Sequence, residues 1–136
     1  MAFYLLDTNV LIGAIKGSDP IRKRLATVPA AAILLSPIVL GELLTGVEKS
    51  RQKASNRKRL LQVLEGFQQT PLTPEVASSY ADLRATLERR GTPIGANDTW
   101  IAAHALTLEA VLVTDNEEEF RRVSGLPIEN WLRPAG

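Results

Sequence analysis

Residues 1–10 read MAFYLLDTNV, and the junction between Leu6 and Asp7 decides the kind of fold. Phe3, Tyr4, Leu5 and Leu6 form a short apolar run without polar alternation, the pattern of a strand covered on both faces. The run ends on Asp7, Thr8 and Asn9. An ionised aspartate at the end of a buried strand is costly unless it is hydrogen-bonded, paired or set against a cation. Asp7 therefore either caps a turn or belongs to a binding site, and more distant residues must supply what it faces.

Working outward, Asn9 to Ile15 starts a short helix that the Gly17–Pro20 stretch breaks, and PIRKRLATV (20–28) reads as a second. AAILLS (31–36) is a second buried strand. In SPIVLGELLTGVEKS (36–50), Ser36 is a good N-cap and Pro37 suits the first helical turn, with an apolar stripe through Ile38, Leu40, Leu43, Leu44 and Val47. RQKASNRKRLLQVLEGF (51–67) is a helix antiparallel to it, and QQTPL (68–72) a short strand. Thr73 and Pro74 repeat the cap signal before a helix over 75–90 that Gly91 stops. A helix over 98–110, a strand VLVT (111–114), a short acidic helix from Asp115 and a closing IENWL (128–132) complete the chain. Strands alternating with helices imply an α/β sandwich around a central, mainly parallel sheet.

The 136 residues fit one domain, 1–136, with ordinary hydrophobic (45%) and charged (23%) content. A net charge of +1 argues against a basic coat but leaves room for a local basic patch. The absence of cysteine excludes disulfides and thiolate metal sites, which suits a cytoplasmic location. The longest apolar-rich run is interrupted by Pro29, Ser36 and Pro37 and is too short to span a bilayer, so no membrane association is expected.

Ligands of open parallel sheets bind beyond the carboxyl ends of the strands. Asp7 lies at that end of the first strand and Asp115 at that end of VLVT. Glu42 lies early in the helix after the second strand, and Asp98 at the start of a later one. With right-handed crossovers, strand ends and helix starts share one edge, so these four acids are expected to converge. Singly, each has a plainer reading as a cap or a helix-dipole partner; their joint placement is the signal. Carboxylates packed together need protons or a cation. An all-oxygen set points to a hard ion such as Mg²⁺ or Mn²⁺, and such an ion suits phosphodiester hydrolysis.

Four motifs, LLDTNVLI (5–12), SPIVLGELLTGVEKS (36–50), NDTWIAAHAL (97–106) and LVTDNEEEFRRVSGLPIENW (112–131), together resemble the PIN domain and specifically the VapC toxins of bacterial toxin–antitoxin pairs. The resemblance covers nearly the whole chain. It implies a three-layer α/β/α fold, Mg²⁺- or Mn²⁺-dependent endoribonuclease activity on an RNA substrate such as tRNA or rRNA, homodimers, and a VapB antitoxin that blocks the site. Asp7, Glu42 and Asp98 match the first three acids of the family. For the fourth, Asp115 is the better match and Asn116 the other candidate. Thr8, Asn9, Thr114 and Asn116 would orient a carboxylate or water.

Lys49, Arg51, Lys53, Arg57, Lys58 and Arg59 form a basic run, either an RNA-phosphate patch or a solvated hairpin tip. The lone histidine, His104, stands six residues after Asp98, the wrong interval for one helix face, and reads as structural. Trp100 and Trp131 read as packing groups. The 91–95 loop has no phosphate-loop pattern and is expected to lead Asp98 into position. An aspartyl-nucleophile phosphatase would need an acid where Asn9 stands, and a receiver domain a lysine that VLVTDN does not offer. The remaining alternative is a catalytically silent PIN-fold module that binds RNA or a protein partner.

Overall fold

The structure, a computed structural model, describes residues 2–133. Five parallel strands, β1 (Tyr4–Leu6), β2 (Ile33–Leu35), β3 (Gln68–Gln69), β4 (Val111–Val113) and β5 (Ile128–Glu129), form one sheet in the order β3-β2-β1-β4-β5. Seven helices flank it: α1 (Thr8–Ile15), α2 (Asp19–Leu25), α3 (Pro37–Glu48), α4 (Lys53–Leu64), α5 (Pro74–Arg89), α6 (Ala96–Thr107) and α7 (Glu117–Phe120). This is the three-layer α/β/α architecture expected. The strand order reverses at β1, so the crevice beyond β1 and β4 is the place where such sheets bind ligands.

The caps follow the sequence. Ser36 accepts from Ile38 N at 3.2 Å, and Thr73 from Val76 N at 3.3 Å. Gly91 follows α5 at φ +71°, a left-handed turn that a side chain would strain. Gly13 lets α1 and α2 approach, because a Cβ there would stand 2.6 Å from Ile21 Cδ1.

The core joins Leu5, Leu6, Ile33, Leu35, Leu112 and Val113 of the sheet to the inner faces of the helices. Helix α6 is buried along most of its length; Ala102, Ala103 and Ala105 are small enough to let it lie deep. Replacing Leu5, fully buried in the central strand, by Ala is expected to cost about 3 kcal/mol, read as a lower urea midpoint.

One element is added and one expectation is corrected. The closing IENWL carries no strand signal of its own, yet Ile128 and Glu129 pair with Leu112 and Val113 as β5. Helix α6 begins at Ala96, with Gly95 as its N-cap, so Asp98 is its third residue rather than its start. Trp131 is buried beside Tyr4 (5.4 Å between ring centroids) and donates to Glu129 Oε1 at 3.0 Å. Trp100 stacks on Tyr80 at 4.0 Å between ring centroids. His104 is buried between α6 and β3, its Nε2 3.2 Å from Thr70 Oγ1 and its Nδ1 without a partner. Burial holds its pKa below the usual value, so it remains neutral and structural.

Candidate active site

The first carboxylate is fixed by the strand it ends. Asp7 N–H extends the sheet ladder to Val113 O at 2.9 Å, which sets the side chain at the carboxyl edge between β1 and β4. Both its oxygens accept: Oδ1 from Thr8 N and Oδ2 from Thr114 Oγ1, each at 2.8 Å. Asp7 thus caps α1 and faces the crevice at once, so the two readings of it are compatible. A carboxylate oxygen has two lone pairs, and each of these keeps one for a further partner. Burial raises the Asp7 pKa; the Thr114 and Thr8 hydrogen bonds oppose the rise, and the charges of Glu42 and Glu119 add to it.

Thr8 reaches across from α1, its hydroxyl donating to Glu42 Oε1 on α3 at 2.7 Å. Asp98 is brought in by the first turn of α6. Its carboxyl is pushed up to about 7, first by burial and then by the negative charges of Glu119, Asp7 and Glu42. A carboxyl that keeps its proton near neutrality marks a site short of positive charge.

Glu119, on α7, is the acid that sequence reasoning missed. It is hydrogen-bonded to Asp98, accepts from Gly95 N at 3.2 Å, and takes a hydrogen bond from Asn116 Nδ2. Burial raises its pKa, but Asn116, Gly95, Asp98 and the charge of Arg122 outweigh burial and hold it below the usual value. The shifts of Asp98 and Glu119 run in opposite directions, as in a coupled pair of acids competing for one proton.

The structure draws together Asp7, Glu42, Asp98 and Glu119, with Thr8, Thr114 and Asn116 as the groups that tie them. It does not bring in Asp115, which is exposed and accepts from Asn130 Nδ2 at 3.0 Å on the β5 side. Asn9 is exposed on α1, with no side-chain hydrogen bond to the cluster among the described residues. Asn116 serves twice: its N–H donates to Thr114 Oγ1 at 3.0 Å, and its side chain holds Glu119. A signal for Glu119 was present in the sequence. It stands three residues after Asn116, so one helical turn puts both on one face; the run Glu117-Glu118-Glu119 hid which of the three acids that was.

The donors are all oxygens, and among the charges that shift them only that of Arg122, on Glu119, is positive, so the set fits a hard divalent ion by chemistry. They are tied to one another rather than converged: among the described residues no three Asp, Glu or His side chains are arranged to hold an ion as they stand.

Residues 4–126, which carry all four acids and the β1–β4 crevice, match the family model of the PIN domain. This chain belongs to the PIN domain family. It is 39% identical over 130 residues to Ribonuclease VapC2 of Rickettsia felis, covering 94% of this chain and 97% of that one. It is 38% identical over 136 residues to the tRNA(fMet)-specific endonuclease VapC of Salmonella typhimurium, covering 96% and 99%. Its fold superimposes with a TM-score of 0.89, at 37% identity, on a chain of the Rickettsia felis VapBC2 complex bound to a DNA fragment from the promoter, covering 95% and 98%. Among these relatives this PIN domain falls in the VapC branch.

Two surfaces border the site. The six basic residues from Lys49 to Arg59 are all exposed around the α3–α4 hairpin. Lys53 and Arg57 pair with Glu48 at 3.7 and 3.3 Å, whereas Lys49, Arg51, Lys58 and Arg59 have no acidic partner among the described residues. A groove of about 350 Å³ runs between α1, α3 and α4, floored by Ile12, Ile15, Leu43 and Leu60, and reaches Glu42. No helix among the described residues is long and apolar enough to cross a membrane.

Proposed function

We propose that this PIN domain is a Mg²⁺- or Mn²⁺-dependent endoribonuclease that cuts tRNA or rRNA, with Asp7, Glu42, Asp98 and Glu119 as its metal-holding acids. The nuclease chemistry and the role as toxin of a toxin–antitoxin pair follow from VapC membership; the metal, the RNA class and the residue roles are the proposal. The observation that carries it is the gathering of Asp7, Glu42 and Glu119 at the β1–β4 edge through Thr8, Thr114 and Asn116, with Asp98 beside Glu119. A divalent ion held there supplies Lewis-acid polarisation of the phosphate and activation of water.

The chain's own residues do the rest. Thr114 and Thr8 N–H hold the Asp7 carboxylate in one orientation. Thr8 Oγ1 does the same for Glu42, and Asn116 for Glu119. Asp98 must give up its proton for the cluster to reach full charge. Asp115 then has a structural part, linking the β4–α7 turn to Asn130.

Arg51 and Lys58, exposed and unpaired, are assigned to RNA phosphates. Replacing both by Ala is expected to raise the KM for RNA roughly tenfold, to reduce the slope of log K against log[salt] by about 2, and to leave kcat unchanged. An unaltered salt slope would return the arm to a solvated hairpin tip. A VapB-type antitoxin is assigned to the α1–α3–α4 groove, since the groove is apolar, leads to Glu42, and the solved relatives include toxin–antitoxin complexes. The homodimer is tested by light scattering of the purified chain.

The deciding experiment is cleavage of a structured RNA pool by the purified protein with Mg²⁺, with Mn²⁺ and with EDTA. Discrete products that need metal support the proposal. Cleavage unaffected by EDTA refutes the metal, and RNA binding without products moves the silent binding module to the front.

A further inference from the structure

Asp98 can meet Glu119 only if the start of α6 is held in place; within the helix the Thr99 hydroxyl donates to Gly95 O at 2.9 Å, but no side chain of α6 takes up its first free N–H groups. Its N-cap is Gly95, and no side chain of the helix caps that end. The preceding loop is tied at Thr92, whose N–H donates to Leu87 O at 3.0 Å, and at Gly95, whose carbonyl accepts from Thr99 N at 2.9 Å. Between those points its underside faces a recess of about 220 Å³ against α5. Half-buried Ile94 packs on the core, but the polar hold comes from α7 and the turn after it. Glu119 Oε1 accepts from Gly95 N at 3.2 Å, and Arg122 Nη1 donates to Pro93 O at 3.1 Å. Glu119 is on α7, and Arg122 follows in the turn after it, its N–H donating to Glu119 O at 3.2 Å, which keeps the two side chains on one side. Here they are one acceptor and one donor, gripping a backbone N–H and a backbone C=O two residues apart.

We propose that Arg122 is a positioning residue: by holding the Pro93 carbonyl from the turn after α7, it fixes the loop that sets Asp98 against Glu119. The proposal rests on the reading of that cluster as a cation site. Glu119 cannot do this alone, because it also serves the cluster and must be free to turn towards an ion. Arg122 is exposed and has no acidic partner within ion-pair distance among the described residues, so its guanidinium is not committed elsewhere. It holds the loop and its charge reaches Glu119, but it is not one of the acids assigned to the ion.

The test compares the wild type with Arg122→Met, which keeps the stem but loses donor and charge, and Arg122→Lys, which keeps both in part. The first readout is amide hydrogen exchange over residues 94–98 of the metal-free protein. The second is Mn²⁺ affinity by calorimetry, and the third is KM and its salt dependence for RNA. Arg122→Met is expected to speed exchange at Gly95 and to weaken Mn²⁺ binding, each about fivefold, with an unchanged RNA KM and salt slope. Arg122→Lys is expected to recover most of both losses. Unchanged exchange and Mn²⁺ affinity in Arg122→Met would overturn the proposal. If the RNA KM rises and its salt slope falls while exchange stays put, Arg122 is a phosphate contact and the proposal is equally wrong. A wild type that binds Mn²⁺ but never cleaves RNA would remove the nuclease reading, and the exchange result would still judge the clasp by itself.

Discussion

Asp98→Asn lowers RNA cleavage on the order of 10³-fold while the metal-free protein becomes more stable at pH 8. Both effects have one origin. The Asp98 carboxyl is lifted from 3.8 to about 7 by burial and by Glu119, Asp7 and Glu42. An asparagine keeps the size and the place in the first turn of α6, but it cannot supply a negative charge. Losing one charged oxygen ligand of a catalytic ion costs about 4 kcal/mol of transition-state stabilisation, which is the stated factor.

The sign of the stability change follows from linkage. Between about pH 4 and 7 the folded protein holds a proton on Asp98 that the unfolded chain has already released. Stability therefore falls as pH rises through that window. Above pH 7 the wild type carries the uncompensated charge and the Asp98→Asn variant does not. The variant should melt higher than the wild type at pH 8 and alike at pH 4, by calorimetry in EDTA. Taking the difference between the two proteins cancels His104, whose lowered pKa acts the other way by removing stability as pH falls below about 6.5. Equal melting temperatures at pH 8 would mean that the cluster is not short of positive charge.

Glu119→Gln and Asp115→Asn make the second test, and they separate two acids four residues apart. Glu119→Gln is expected to cost about 10²-fold in cleavage and to weaken Mn²⁺ binding by a similar factor, because the amide keeps one acceptor but loses the charge beside Asp98. Removing that charge also relieves Asp98, so its apparent pKa should move down, measurable by carboxyl NMR of the metal-free protein. Asp115→Asn is expected to change cleavage less than about twofold, since Asp115 is exposed and faces Asn130 rather than the cluster. A reversal of the two results would restore Asp115 as the fourth acid and leave Glu119 as a cap on Gly95.

Much of the fold is legible in the sequence because the signals are local. An apolar run ending on Asp7, the Ser36-Pro37 and Thr73-Pro74 caps, and Gly91 each act within one turn of the chain. Their physics does not wait for tertiary contacts. The fifth strand is not legible. Ile128 and Glu129 make a two-residue strand, too short for any periodicity, and it exists because β4 offers an edge for it to pair with. The start of α6 is hidden for a related reason: Gly95 has no side chain to make a cap bond, and its N–H is held by Glu119 of α7.

The site divides along the same line. Asp7, Glu42 and Asp98 can be found from the sequence because each sits where a strand ends or a helix begins, and a parallel sheet sends those points to one edge. Thr8 and Thr114 can be found as their neighbours. Choosing among Asp115, Asn116 and Glu119 is beyond the sequence, since all three lie on the same short stretch after one strand. Phe120, next to Glu119, is buried in the core, and Glu119 is held by Asn116 and Gly95 N, contacts that only the folded chain supplies. The chain's local chemistry thus determined the class of fold and set Asp7, Glu42 and Asp98 at one edge of the sheet. The tertiary structure decided that Glu119 rather than Asp115 stands beside them, because the side a short helix presents is set by how it packs and not by its own sequence.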